Sequence, residues 1–196
     1  MKTVKATCLS FLLLVTFALT IPAQERRLSP EGRKLTDAFA QLQKSPDDSV
    51  AQERYLEAFP KDFKTFLQLF DLHRELSDGH EYIYLLPSLA NKHEVELGAL
   101  LIQLGKGAHW DADAPNYLQQ VTANYAGQHT KTFVSLIKLL SPTDRANLIT
   151  FLADAENHGA YKEYQDIIDR LRSTGQNRLE KEFEVAREKR MHQPHG

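Results

Sequence analysis

Leu97-Gly98-Ala99-Leu100-Leu101-Ile102-Gln103-Leu104 is the stretch whose pattern decides the fold. Its leucines at 97, 100, 101 and 104 recur at i, i+3, i+4 and i+7, the spacing that lines one face of a helix and no face of a strand. Working outward, the same quartet appears upstream as Phe63, Phe66, Leu67 and Phe70, and downstream as Phe133, Leu136, Ile137 and Leu140. Looser stripes run through Leu35, Phe39 and Leu42; Leu118, Val121 and Tyr125; Leu148, Phe151, Leu152 and Ala155; and Tyr161, Tyr164, Ile168 and Leu171. Each stripe is apolar on one side only, so each needs a partner surface. The chain from Pro30 to Arg190 therefore reads as an all-α single domain of about eight or nine short antiparallel helices, packed as a compact bundle or a slightly superhelical, solenoid-like array.

Punctuation between the stripes agrees with this reading. Ser29 before Pro30, Ser45 before Pro46 with Asp48, and Ser141 before Pro142 with Asp144 each offer a side-chain N-cap, a proline already at helical φ and an acid in the first turn. Gly79, Gly105, Gly127, Gly159 and Gly175 follow apolar stripes, where a left-handed residue commonly ends a helix. Glu81 to Leu86 is strand-compatible and Pro87 interrupts it, yet a lone strand has no pairing partner elsewhere in the chain, so a helix is expected there too. Lys64, Thr65, Phe66, Leu69 and Leu72 recur in order as Lys131, Thr132, Phe133, Leu136 and Leu139, an echo that two amphipathic helices of similar burial also produce without duplication. No fixed repeat period accompanies it.

The first 23 residues read as an export signal. Lys2 and Lys5 precede an apolar run from Phe11 to Ile21 that is too short to span a bilayer, and cleavage is expected after Ala23. The domain then comprises 24–196, with short tails. The one cysteine, Cys8, lies in the leader, so the mature chain is expected to be cysteine-free, and it is long enough to build a core without disulfides. The full chain carries a net charge of −2, and loss of Lys2 and Lys5 makes it more negative. Basic residues are interspersed with acids, as in the run from Arg178 to Arg190, so nucleic acid is not an expected partner.

Standard catalytic spacings are incomplete. His93-Glu94-Val95-Glu96-Leu97 has Leu97 where a zinc-protease helix needs its second histidine, and Gly105-Lys106-Gly107 lacks the spacing and hydroxyl of a phosphate loop. No motif calls for an organic cofactor. His109, Asp111 and Asp113 form the most suggestive cluster, an imidazole and two carboxylates that suit zinc or manganese, with the Trp110 indole able to cover an apolar ligand. The plainer reading has Asp113 capping the helix that begins near Pro115 and Trp110 packing its base. Asp154 and His158, spaced i, i+4, are a second candidate pair, and Asp71, His73, Glu75, His80 and Glu81 make a polar cluster. Tyr55, Phe59, Phe63, Phe66 and Phe70 load one region with rings that build a core or line a groove for a partner helix or apolar ligand.

The run from Glu57 to Phe66, ending in Leu69, Phe70 and Asp71, resembles a segment of exported bacterial helical proteins of unknown function. The resemblance implies a periplasmic or secreted protein and carries no activity with it. Small, exported and helical, the chain is expected to bind another protein, as immunity-type toxin inhibitors and envelope adaptors do. The competing expectations are a metal-dependent envelope hydrolase centred on His109, Asp111 and Asp113, and an apolar-ligand carrier with a cavity among the aromatic helices.

Overall fold

A computed structural model describes residues 28–72, 74–109, 114–154 and 158–192, without the side chains of 158–160. Ten α-helices lie among the described residues: α1 (Pro30–Lys44), α2 (Ser49–Ala58), α3 (Phe63–Phe70), α4 (His80–Leu85), α5 (Ala90–Gly105), α6 (Ala114–Gln128), α7 (Thr130–Ile137), α8 (Pro142–Ala153), α9 (His158–Ser173) and α10 (Asn177–Met191). The strand-compatible run at 81–86 is helical. It passes from α4 into a 3₁₀ turn over Leu86–Leu89, which accepts Pro87 in its first positions. No strand occurs among the described residues, so the fold is all-α. The expected leader at 1–23 lies outside the described residues.

Caps explain where several helices begin. Ser29 and Ser141 accept from the backbone N–H of Gly32 and Asp144, with Pro30 and Pro142 opening α1 and α8 as the sequence indicates. Ser45 does otherwise: it closes α1, and Asp48 caps α2 by accepting from the Val50 N–H. Pro46 sits in the turn between them, because α2 starts only after the chain has reversed. Of the five glycines placed at helix ends, Gly175 alone has a positive φ, 69°, past the end of α9. Gly105 and Gly127 lie within α5 and α6. A Cβ on Gly105 would stand 2.6 Å from Leu148 Cδ1, so this residue is small because α8 approaches closely.

α5 and α6 together form the hub. α5 touches α2, α3, α6, α7 and α8, and α6 touches α3, α4, α5, α7, α8 and α9, so the contacts describe a compact bundle in which helices distant in sequence meet. The α5 leucines Leu97, Leu101 and Leu104 are fully buried, as the opening pattern requires. The echo of 64–72 in 131–139 has a structural counterpart. α3 and α7 are both eight-residue helices on α5 and α6, with Phe66 and Phe133 fully buried, while Leu72 and Leu139 face solvent.

Rings fill the N-terminal half of the core. Phe39 stacks on Tyr82 at 4.0 Å, Phe66 meets Phe70 at 5.1 Å and Phe59 at 6.4 Å, and Phe59 meets Phe70 at 5.8 Å. Burying each such side chain contributes about 1.5–3 kcal/mol. The buried Tyr55 hydroxyl donates to the Tyr82 carbonyl at 2.5 Å and so ties α2 to α4.

Candidate functional site

α8 and α10 leave an open groove between them. On α8 its lining is Pro142, Arg145, Ala146, Ile149 and Thr150; on α10 it is Arg178, Lys181, Glu182, Val185, Ala186 and Lys189. Each set follows one helical face at i, i+3, i+4, i+7. The opposite faces explain why: Leu148, Phe151 and Leu152 of α8 and Leu179 and Phe183 of α10 point into the core, which leaves the remaining sides to form the cleft. The groove encloses about 470 Å³, within the usual range for a binding cleft.

Its floor is apolar and its rim is basic. Ile149 is buried at the bottom, while Val185 stays 45% exposed on α10, one turn from Lys181 on one side and from Lys189 on the other. Both lysines are exposed, and neither ammonium group makes an ion pair or hydrogen bond among the described residues. Arg145 and Arg178 are already used. Their Nε atoms each lie 3.2 Å from the Glu182 carboxylate, which bridges α8 to α10 at one end of the groove. A smaller hollow of about 360 Å³ adjoins beyond this bridge, sharing Arg145, Arg178 and Glu182 and adding Lys138, so the basic strip continues.

The far end of the groove is held by the C-terminus of α8. Its last carbonyls lack intrahelical donors, and two side chains supply them while a third pairs with the carboxylate of its C-cap, Asp154. The buried Gln119 amide of α6 donates to the carbonyls of Phe151 at 2.6 Å and Asp154 at 2.9 Å. Arg187 of α10 donates to the Ala153 carbonyl at 3.0 Å while lying over the rings of Tyr161 and Tyr164. Arg190 Nε stands 2.7 Å from the buried Asp154 carboxylate. Cations at this helix end also meet the negative pole of its dipole. Burial pushes the Tyr164 hydroxyl up to about 12 against the opposing pull of Arg187. α10 is thereby tied to α8 at both ends of the groove.

No protein-family model, curated protein or solved structure matches this chain.

The residues singled out in the sequence fall elsewhere. Phe59, Phe63 and Phe66 are 1%, 7% and 0% exposed. Their rings pack on one another in the core. His109 is exposed, edge-on to Phe63 with ring centres 5.2 Å apart. Its companions Trp110, Asp111 and Asp113 lie outside the described residues. Among the described residues no three His, Cys, Asp or Glu side chains group as a metal site would need. Asp154 closes α8 and pairs with Arg190; the side chain of His158 lies outside the described residues.

The remaining polar groups hold helices together. Glu75 accepts from the Ser29 N–H at 2.8 Å and from its hydroxyl at 2.9 Å, which places a carboxylate at the start of α1. His80 meets Tyr84 edge-on at 6.0 Å and Tyr117 at a tilt at 5.8 Å, and His73 lies outside the described residues. His93 is buried at a kink in α5 against Ser49. Glu94 pairs with His129 at 3.3 Å and accepts from the Thr132 hydroxyl, the bond chiefly responsible for holding its carboxyl below the usual range.

Proposed function

We propose that this protein is an exported binding module that docks another protein in the groove between α8 and α10, in the manner of an immunity-type inhibitor or an envelope adaptor. The observation that carries the reading is Val185: an apolar side chain 45% exposed between two unpaired lysines, on a helix anchored at both ends. An exposed apolar residue alone means little. Here it lines, with the buried Ile149, a cleft with helical walls, the geometry into which a partner helix lays its apolar face. Walls already tied to each other also lower the ordering cost of association. Export rests on the pattern of Lys2, Lys5 and the run from Phe11 to Ile21.

The test is native mass spectrometry of the chain purified from its own source, beside the variant Val185→Asp. A second polypeptide of defined mass that accompanies the natural chain and is missing from the variant is the expected result. A bound metal ion lost on His109→Ala, or an extractable lipid-like molecule with no second polypeptide, would overturn the reading in favour of the hydrolase or the carrier.

A further inference from the structure

We infer that the occupant of the α8–α10 groove is an acidic amphipathic helix, carrying an apolar anchor with carboxylates one turn to either side. This rests on the docking reading above and specifies the partner's chemistry. The argument is charge complementarity. The chain as a whole is at −2, yet the groove lining holds Arg145, Arg178, Lys181 and Lys189 against Glu182 alone. Glu182 is already shared between the two arginines. Four cations against one carboxylate leave the lining at +3, and Lys181 and Lys189 are the two cations whose side chains pair with no carboxylate among the described residues.

Spacing converts that charge into a pattern. Lys181, Val185 and Lys189 are at i, i+4 and i+8 on α10, so the two lysine positions stand about 12 Å apart along the axis with the apolar position midway. A helix lying along the groove matches them with a leucine or similar anchor over Val185 and Ile149. A glutamate or aspartate one turn before it and another one turn after it then reach the two ammonium groups. A basic or neutral helix would leave both lysines desolvated without a counter-charge, a cost that acts against the wrong partner. The adjoining hollow lined by Lys138, Arg145 and Arg178 extends the same preference for one further turn.

The experiment uses the whole mature chain and two side-chain-stapled helical peptides in fluorescence anisotropy. One peptide carries a central leucine flanked at i−4 and i+4 by glutamate, and the other has lysine in place of each glutamate. The acidic peptide is expected to bind on the order of tenfold or more tightly than the basic one, since the rim charges attract the first and repel the second. Raising the salt should narrow the gap. The double variant Lys181→Glu with Lys189→Glu should invert the preference; both positions are exposed and unpaired, and circular dichroism checks that the variant is folded. Equal binding of both peptides, lost in Val185→Asp, would overturn the acidic preference and leave the groove as a docking site. Binding of neither peptide would overturn the acidic helix, whereas the docking function answers separately to the native mass spectrum.

Discussion

Replacing Gln119 by methionine isolates a buried polar contact between α6 and the end of α8. The two side chains are close in volume, so the change removes an amide and leaves no cavity. Gln119 is 1% exposed, and its Nε2 serves the carbonyls of Phe151 and Asp154 at once, while its Oε1 is buried with no hydrogen-bond partner among the described residues. Leaving a buried carbonyl unsatisfied costs about 1–3 kcal/mol, so two cost about 2–6. Removal of the orphaned Oε1 and the gain in apolar burial offset about 1–2 of that. At mid-range values the net loss is about 2.5 kcal/mol, a large share of the 5–15 kcal/mol that typically holds a domain together. For a chain of this length the melting temperature should then fall by about 5–10 °C. Urea unfolding followed by circular dichroism measures the loss, and amide exchange localises it, with faster exchange near residues 151–154 and unchanged exchange in α1 and α2. A loss below about 0.5 kcal/mol would refute the reasoning, because it would mean that the two carbonyls find other donors and that α8 is not closed by α6.

Two glycines within helices should respond to alanine with opposite signs. A Cβ on Gly98 would stand 2.2 Å from Tyr125 Oη and 2.8 Å from Leu136 Cδ1, so Gly98→Ala should destabilise by about 1–3 kcal/mol. On Gly127 the nearest atom is Asp166 Cβ at 3.5 Å, and Gly127→Ala should stabilise by up to about 1 kcal/mol through helix propensity; chemical denaturation reads both, and equal signs refute the packing argument. At high pH the buried phenols should unfold the chain. Burial pushes Tyr164 up to about 12 and raises Tyr55 and Tyr125 as well, so the stability they confer is whole below about pH 10, the unfolded value, and is lost as pH climbs through 12. Absorbance at about 295 nm beside far-ultraviolet circular dichroism follows this, and all seven tyrosines ionising near pH 10 in a folded chain would contradict it.

The helices were legible because their information is local. A 3.6-residue stripe such as Leu97, Leu100, Leu101 and Leu104 identifies a helix and its buried face together, and Ser29 and Ser141 act on groups only three residues away. Ser45 and Asp48 misled for a related reason. Both residues can cap, Pro46 fits a first turn or a loop equally well, and the choice depends on where α2 must begin in order to pack against α1. Gly105 looked like a helix stop, whereas its smallness answers to Leu148, forty-three positions later in the chain.

That dependence on distant residues is also why the candidate site was hidden. Arg178 to Arg190 reads as a mixed-charge solvated face, and taken alone α10 is one. What converts part of that face into a groove is α8, some thirty residues earlier, held beside it by Glu182 between Arg145 and Arg178 and by Arg187 on the Ala153 carbonyl. One local trace did exist: Val185 interrupts the charged side of α10, with lysines at i−4 and i+4. On a helix that only met water, a charged residue would serve at that position as well, whereas a valine between two lysines suits a surface that is covered part of the time. The aromatic residues carried the louder signal, but rings gathered on neighbouring helices bury one another first. Phe59, Phe63 and Phe66 are packed into the core, and α10, which buries only Leu179 and Phe183, keeps a long outward face beside α8 for the proposed docking.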